Sequence, residues 1–150
     1  MGLALLTAQR SKDGRLQVGA CIVNDEDKIV SLGYNGMPHD RHDLFSWNDN
    51  TKSYICHAEM NAVLNAKGAD LKGCTLYLNM YPCVECSKII TQSGITTIVY
   101  LLDEKADQWV QKPKYKKARE FDAELETKGL IKIRKYKAKK TRPSIQINFI

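Results

Sequence analysis

The pattern of apolar and polar residues predicts a helix and then a β-hairpin in the first part of the chain. Residues 1 to about 12 carry an apolar stripe at helical spacing, which consists of Leu3, Ala4, Leu6 and Ala8. The continuous apolar run at 18–23 is typical of a buried strand. A polar turn follows it, so we expect residues 28–34 to pair back as a second strand.

The rest of the chain alternates between helical and strand patterns after a long polar loop at 35–53. Three helices are predicted: from His57 to before Gly68, from Pro82 as the first helical residue to 93–94, and over 114–128 with Gly129 as the stop. Strands are predicted at 74–80, 96–102 and 130–136, and 144–150 alternates in the way an edge strand does. The order α-β-β-α-β-α-β-α-β predicts a sheet with helices on both faces.

Length and composition are those of one globular domain, which we expect to span residues 1–150. The chain has no apolar run near the ~18 residues that cross a membrane, and its N-terminus lacks the basic segment of a signal peptide. Its odd number of cysteines favours thiols and metal ligands over a disulfide framework, and Cys21, Cys56 and Cys74 are predicted to be small buried residues. We therefore expect a cytoplasmic protein, with the nucleus as the alternative, and no membrane partner.

The net charge of +6 comes mostly from lysines and arginines beyond residue 110. Such an excess favours an anionic partner, either the phosphate of a nucleotide or a polynucleotide. The alternative for these residues is a solvated helix face followed by a frayed tail.

Four chemically distinctive residues occur in two short motifs, each at a predicted helix start. His57 and Glu59 are two positions apart, and Cys83 and Cys86 are three positions apart just after Pro82. Catalytic zinc sites use three protein ligands and leave one position to water, whereas structural sites use four. A zinc-bound water ionises near neutral pH, and a carboxylate that does not bind the metal can carry protons. His57, Cys83 and Cys86 are therefore the predicted zinc ligands. Glu59 is the predicted catalytic proton carrier.

Two other interpretations of these motifs remain open from the residues alone. Cys83 and Cys86 also have the spacing of a redox-active thiol pair at a helix start. A fourth cysteine, either Cys56 or Cys74, would close the zinc site and make it structural. Neither alternative accounts for Glu59, and the arrangement H-x-E…P-C-x-x-C is the signature of zinc nucleobase deaminases.

Several longer segments resemble one branch of these enzymes. The segments are AQRSKD, QVGACIVN, GYNGMP, CHAEMNAV and PCVECSKIITQSGI. Together they cover roughly residues 3–105 and are similar to the deoxycytidylate (dCMP) deaminases of the cytidine deaminase superfamily. The resemblance implies a three-layer α/β/α cytidine-deaminase-like fold with a central five-stranded mixed sheet, one catalytic Zn2+ per subunit and a hexameric assembly.

The resemblance also implies an activity and its control. The family deaminates dCMP to dUMP and ammonia, which supplies dUMP for thymidylate synthesis; it is activated by dCTP with Mg2+ and inhibited by dTTP. A free nucleotide is therefore the expected substrate, and nucleic acid is not an expected partner. The alternatives are a deaminase acting on dCTP or on a single-stranded polynucleotide through the basic C-terminal third, and an inactive zinc-binding module that serves in assembly.

Residue roles follow from the resemblance, position by position. Ala58 would offer its backbone N–H to the pyrimidine carbonyl, and Asn35 would bind the sugar. The alternative for Asn35 is a turn residue before Gly36. Phosphate contacts are expected at Arg10, Ser11 and Lys12, and the effector pocket is expected at Gly33 and Tyr34. The alternative for Arg10, Ser11 and Lys12 is a solvated turn, and the alternative for Tyr34 is a core position at the end of a strand.

The chain departs from the family pattern in three places. It lacks most of the aromatic helix that precedes AQRSKD in the family, so we expect a shortened N-terminal helix. The run HDRHDLFSW follows GYNGMP, where eukaryotic members have a Gly-Cys-acidic run. Lys105 replaces an aromatic residue in the loop after the 96–102 strand, where QWVQKPKY adds length. In the family this loop flanks the phosphate end of the substrate, so an extra cation there suits a monophosphate or a more highly charged nucleotide.

Overall fold

A computed structural model of the chain describes residues 1–40, 47–101, 108 and 110–137. Within these residues the helices are α1 (Gly2–Ala8), α2 (Ala58–Asn65), α3 (Val84–Gln92) and α4 (Pro113–Thr127), and short 3-10 turns occupy Pro38–Asp40 and Asp49–Tyr54. The strands are β1 (Gly19–Val23), β2 (Ile29–Tyr34), β3 (Thr75–Leu78), β4 (Thr97–Tyr100) and β5 (Lys132–Lys135). Lys105 and the predicted strand at 144–150 lie outside the described residues.

The strands form one five-stranded mixed sheet in the order β2-β1-β3-β4-β5. β1 is antiparallel to both β2 and β3, whereas β3, β4 and β5 run parallel. The parallel strands are joined through α3 and α4, as crossover connections require. The predicted hairpin, the mixed sheet and the alternation of helices and strands are therefore confirmed, with element ends that differ by a few residues.

Helices cover both faces of the sheet, and two glycines in β1 and β2 show which helix lies on which face. A side chain at Gly19 would collide with the backbone of α1, whereas a side chain at Gly33 would collide with the backbone of α2. Gly33 pairs with Ala20, the neighbour of Gly19, and successive strand residues point to opposite faces. α1 and α2 therefore lie on opposite faces. α3 packs against both α2 and α4, which completes the second helical layer.

The main core lies between the sheet and the layer formed by α2, α3 and α4. Its fully buried strand side chains are Ala20, Ile22, Leu76, Leu78 and Ile98, and they meet Ala58, Ala62, Ile90 and Ala118 of the helices. A smaller cluster on the other face joins Ala4 of α1 to Cys21 and Val23 of β1. This two-sided packing is the three-layer arrangement that the family resemblance implies.

The predicted apolar stripe of α1 packs only in part. Ala4 and Ala8 are buried, but Leu3 and Leu6 are 41% and 37% exposed. The close approach of α1 to Gly19 leaves room for small side chains alone, and the leucines are turned away from the sheet. The prediction that all four residues form the core-facing stripe was therefore wrong for the two leucines.

The prediction that Cys21, Cys56 and Cys74 are all buried was wrong for one of them. Cys21 and Cys74 are buried, whereas Cys56 is only partly buried. Cys56 pairs through its backbone N–H and C=O with Gly36 in an isolated bridge. This pairing leaves its side chain at a pocket beside Tyr34. None of the helices within the described ranges is long and apolar enough to cross a membrane.

Gly33→Ala is expected to lower the free energy of unfolding by about 1–3 kcal/mol or more. The added methyl group would meet the carbonyl oxygen of Ala58 and the backbone nitrogen of Ala62, and backbone atoms cannot rotate away. Urea denaturation measures the change. Gly14→Ala is the matched control, because an added Cβ there would have no described atom within 4 Å apart from its chain neighbours; we expect its effect to stay within about 0.5 kcal/mol. Equal stability of the two variants would contradict the close packing of α2 on β2.

Candidate metal centre and active site

The two sequence motifs lie at the N-termini of two neighbouring helices. His57 is the N-cap of α2 and Cys83 is the N-cap of α3, both with extended backbone angles, and Cys86 lies in the first turn of α3. N-cap side chains commonly accept a hydrogen bond from their own helix, but neither of these two does. Because α2 and α3 pack together on one face of the sheet, the two N-cap side chains meet.

Pro82 lies two positions before the first residue of its helix, whereas the sequence predicted it to be that first residue. The helix begins at Val84, with Cys83 as its N-cap, so Pro82 precedes the cap and is not the first helical residue. The extended conformation of Cys83 (φ −80°, ψ 167°) explains the difference, because a helical Cys83 would have to leave the position that faces His57. Pro82 therefore restricts the backbone of the segment that leads into the helix, and it is not itself a helical residue.

The three predicted ligands form a compact group. His57 Nδ1 is 3.3 Å from Cys86 Sγ and 3.5 Å from Cys83 Sγ, and all three ligand atoms lie within 4.8 Å of one another. Zinc binds sulfur at about 2.3 Å and nitrogen at about 2.0–2.1 Å, which separates N and S by about 3.5 Å at a tetrahedral angle. The spacing and the borderline-soft donor set therefore fit a zinc ion.

The group contains three ligand residues within the part of the chain that the structure describes. Cys56 and Cys74 are both outside it, so the structure does not support a closed site that uses either as a fourth ligand. Three ligands at tetrahedral spacing leave one position for water or substrate. Cys83 and Cys86 are both free thiols here, and the imidazole between them favours a metal site over a redox pair.

Electrostatics at the group favour a thiolate. Hydrogen bonds from Cys86 and His57 lower the pKa of Cys83 to about 3, against the opposing effect of burial. The pKa of Cys86 is raised, first because it donates to Cys83 and then because it is buried. The hydrogen bond with Cys83 raises the pKa of His57. These contacts favour the thiolate form of Cys83, and the N-terminus of α3 favours the same charge.

Glu59 lies beside the group but is not part of it. It is the second residue of α2, it is only 5% exposed, and it lines the same pocket as His57 and Cys83. Burial raises the pKa of its carboxyl group, and the neighbouring His57 opposes this. A carboxyl group that is both buried and adjacent to the ligands has the position expected of a proton carrier.

One pocket joins these residues to the loop after α1 and to the start of α4. Its lining residues are Asp13, Arg15, Val18, Asn35, Lys52, Ile55, His57, Ala58, Glu59, Met80, Tyr81, Cys83, Lys114 and Tyr115. Ala58 is the first residue of α2, where backbone N–H groups lack acceptors within the helix. The pocket thus brings together Asn35, Ala58 and Glu59 with the ligand residues.

Asn35 is buried in the pocket wall and braces the loop that precedes β1. Its Oδ1 accepts from the backbone N–H of Val18 at 2.8 Å, and its Nδ2 donates to the carbonyl of Leu16 at 3.0 Å and to Asp13 at 3.4 Å. These contacts are more than the simple turn role before Gly36 would need. They hold the loop at 13–18 against the pocket.

The residues predicted to contact phosphate lie beside the pocket and do not line it. Arg10 stacks on the ring of Tyr34, with Cζ 5.1 Å from the ring centroid, and Lys12 is exposed. Ser11 is buried, and its Oγ accepts from the backbone N–H of Asp13. Of the predicted effector residues, Tyr34 lines a second pocket, whereas Gly33 is packed against α2.

Three cations that were not predicted as site residues, Arg15, Lys52 and Lys114, line the main pocket, and Lys112 lies near them. Desolvation lowers the pKa of the exposed Lys112, and the charges of these three cations lower it further. They come from three separate segments of the chain, so no local motif marks them. Lys112 and Lys114 lie in the segment QKPKY, whose basic character was the available signal. Tyr115 adds a buried aromatic wall, with its hydroxyl 3.7 Å from Met80 Sδ.

The fold and the pocket define a class of α/β zinc proteins in which two helix N-termini on one face of a mixed sheet carry the metal ligands. Residues 1–102 match the family described as the cytidine and deoxycytidylate deaminase zinc-binding region. Over 115 residues the chain is 49% identical to a deoxycytidylate deaminase of Mus musculus and 47% identical to that of Homo sapiens. The chain belongs to this cytidine and deoxycytidylate deaminase family. Each match covers 71% of the chain and 65% of the relative's length.

Solved structures show the same fold. A dCMP deaminase from the cyanophage S-TIM5, in its apo form, has a TM-score of 0.64 at 27% identity, with 90% of this chain and 92% of that chain covered. The same cyanophage enzyme in complex with dCMP and dUMP has a TM-score of 0.64 at 26% identity, with the same coverage. The predicted fold class and the predicted family are therefore confirmed.

Proposed function

We propose that this chain catalyses the zinc-dependent hydrolysis of dCMP to dUMP and ammonia. The observation that carries the proposal is one pocket that contains a three-ligand group at zinc spacing, a buried non-ligand carboxyl group and a cationic mouth. The relatives named deoxycytidylate deaminase and the cyanophage enzyme seen with dCMP and dUMP support this choice of substrate.

The roles of the pocket residues follow from their positions. His57 Nδ1 and the sulfurs of Cys83 and Cys86 would hold the zinc ion. When bound, zinc supplies a Lewis acid that activates water at near-neutral pH. The carboxyl group of Glu59 would take one proton from the attacking water and give it to the ring nitrogen; it would then take the second proton from the added hydroxyl and give it to the amine, which leaves as ammonia. The backbone N–H of Ala58 would bind the pyrimidine carbonyl.

The cationic mouth favours a nucleotide over a nucleoside. Lys114, Lys52 and Arg15 each act electrostatically on Lys112, and this concentration of positive charge would attract a phosphate. We therefore add these four cations to the phosphate contacts expected at Arg10, Ser11 and Lys12. Asn35 remains our proposed sugar contact, since it is buried in the wall between the loop at 13–18 and Ala58.

The double variant Lys52→Gln with Lys114→Gln is expected to raise the KM for dCMP by about ten- to hundredfold. Charge-assisted hydrogen bonds are worth about 1.5–3 kcal/mol, and both side chains line the pocket mouth. Turnover of deoxycytidine, which has no phosphate, should not change. Steady-state kinetics on both substrates measure the difference, with Lys117→Gln on the exposed part of α4 as the control. Equal losses for both substrates would place these lysines outside phosphate binding.

The decisive experiment is ammonia release from purified, zinc-assayed protein with dCMP, dCTP, deoxycytidine, CMP and oligo-dC. The proposal predicts the highest kcat/KM for dCMP. A preference for dCTP would mean that the cationic mouth accepts a longer phosphate chain. Release from oligo-dC alone would instead indicate a polynucleotide deaminase, and no release from any substrate would indicate the inactive assembly module.

We also propose a homo-oligomer, with a hexamer as the expected assembly. Large apolar side chains are exposed on α1, on the edge strand β2 and on α2, and β2 contacts both helices. The side chains are Leu3, Leu5, Leu6, Ile29, Leu32 and Leu64. Regulation by dCTP with Mg2+, and by dTTP, is proposed at the pocket beside Tyr34, which continues onto α2. Light scattering of the purified chain, with and without nucleotide, tests the assembly.

A further inference from the structure

A buried carboxyl group lies behind the metal centre and takes no part in the proposed reaction. Asp122 is on α4, it is 1% exposed, and it accepts two hydrogen bonds at the same oxygen. The hydroxyl of Tyr81 donates to Oδ2 at 2.7 Å, and the hydroxyl of Ser87 donates to it at 3.2 Å. Its other oxygen, Oδ1, has no hydrogen-bond partner among the described residues.

The two donors flank the segment that carries two of the metal ligands. Tyr81 lies two residues before Cys83, and Ser87 directly follows Cys86. Asp122 therefore joins both ends of the segment 81–87 to a single oxygen atom on a different helix. The ring of Tyr81 is further held edge-on against Tyr100 of β4, with ring centroids 4.9 Å apart. A shift of either end of the segment would break one of these contacts.

This arrangement is costly for the fold alone. A buried carboxyl group with one oxygen unpaired lowers stability, and apolar residues in place of Asp122 and its two hydroxyl partners would fill the same core without that penalty. An aspartate in the middle of a helix is also a poorer helix former than alanine. A benefit in positioning the segment 81–87 explains why a carboxyl group occupies this site.

We propose that Asp122 is a positioning residue for the metal centre, which fixes Cys83 and Cys86 through its hydrogen bonds to Tyr81 and Ser87. The inference rests on the zinc site of the proposed function, but it does not depend on which substrate is used. Groups that orient metal ligands from behind commonly change metal affinity by about 10- to 100-fold when they are removed. Asp122 would act in this way indirectly, because it holds the residues on either side of the ligands and not the ligands themselves.

Zinc affinity measured by competition with a chromophoric chelator tests the proposal. We expect Asp122→Ala to weaken zinc binding by about 10- to 100-fold. Asp122→Asn should stay within about threefold of the parent, because its amide oxygen can still accept from both hydroxyls. The absorption spectrum of the Co2+-substituted protein should change in the alanine variant and not in the asparagine variant. These readouts are independent of turnover, so a failure to deaminate dCMP would leave this inference intact.

Controls separate positioning from general loss of stability. Ala118→Gly removes a methyl group from the buried face of the same helix and destabilises α4 without touching the hydroxyl pair. It should leave zinc affinity unchanged. If Asp122→Ala fails to fold, Tyr81→Phe and Ser87→Ala remove the two hydrogen bonds separately, and each should weaken zinc binding severalfold. Parent-like affinity in the folded variants, or an equal loss in Ala118→Gly, would overturn the proposal.

Discussion

Glu59→Gln is expected to reduce the turnover of dCMP by about 10²–10⁴-fold while the protein keeps its fold and its zinc. The amide is nearly the same size as the carboxyl group, so the buried site on α2 stays filled. An amide cannot accept and return a proton, and the reaction needs a carrier between water, the ring nitrogen and the leaving amine. The measurement is kcat for ammonia release, with bound zinc determined on the same sample.

A matched variant tests whether the effect belongs to this carboxyl group. Glu85→Gln makes the same chemical change in the first turn of α3, where Glu85 is exposed and paired with Lys88 at 2.5 Å. Its turnover should equal that of the parent, because an exposed ion pair contributes little. If Glu59→Gln keeps full activity, Glu59 is not the proton carrier and the proposed mechanism fails.

Cys83→Ser is expected to abolish zinc binding and, with it, all measurable turnover. A serine hydroxyl is a far weaker zinc ligand than a thiolate, and Cys83 is the ligand cysteine whose pKa is lowered. Zinc at 100 times its Kd stabilises a folded protein by about 2.7 kcal/mol, and the variant should lose that contribution as well. Zinc content by elemental analysis and thermal unfolding in the presence of zinc measure the two effects.

The control for Cys83→Ser is Cys56→Ser. Cys56 directly precedes a ligand residue in the chain, but its side chain lies outside the ligand group. Its backbone pairing with Gly36 does not depend on the side chain. Full zinc content in Cys56→Ser together with none in Cys83→Ser would support the ligand assignment. Stoichiometric zinc in Cys83→Ser would refute it.

Sequence reasoning succeeded where the signal is local. Helix starts at His57 and Cys83 follow from periodicity and motif spacing, and the structure confirms them within a residue or two. The hairpin of β1 and β2 could be predicted from two apolar runs around a polar turn. The grouping of His57, Cys83 and Cys86 was predicted because a zinc site requires it, although nothing in local pattern places two helices side by side.

The parts that were missed depend on residues far apart in the chain. The pocket cations Arg15, Lys52 and Lys114 come together only through the packing of three segments. Asp122 has an ordinary position on an amphipathic helix pattern, and only its distances to Tyr81 and Ser87 distinguish it. The outward orientation of Leu3 follows from the close approach of α1 to β1, which helical periodicity cannot show.

The spacing of the ligands along the chain has a consequence for the fold itself. His57 and Cys83 are 26 positions apart, and the segment between them includes α2 and β3, the middle strand of the sheet. An ion held at both ends turns this segment into a closed ring. Closing a ring of this size with a cross-link removes about 3–4 kcal/mol of chain entropy from the unfolded state. The ion that is proposed to serve catalysis would therefore also act as a staple across the centre of the molecule.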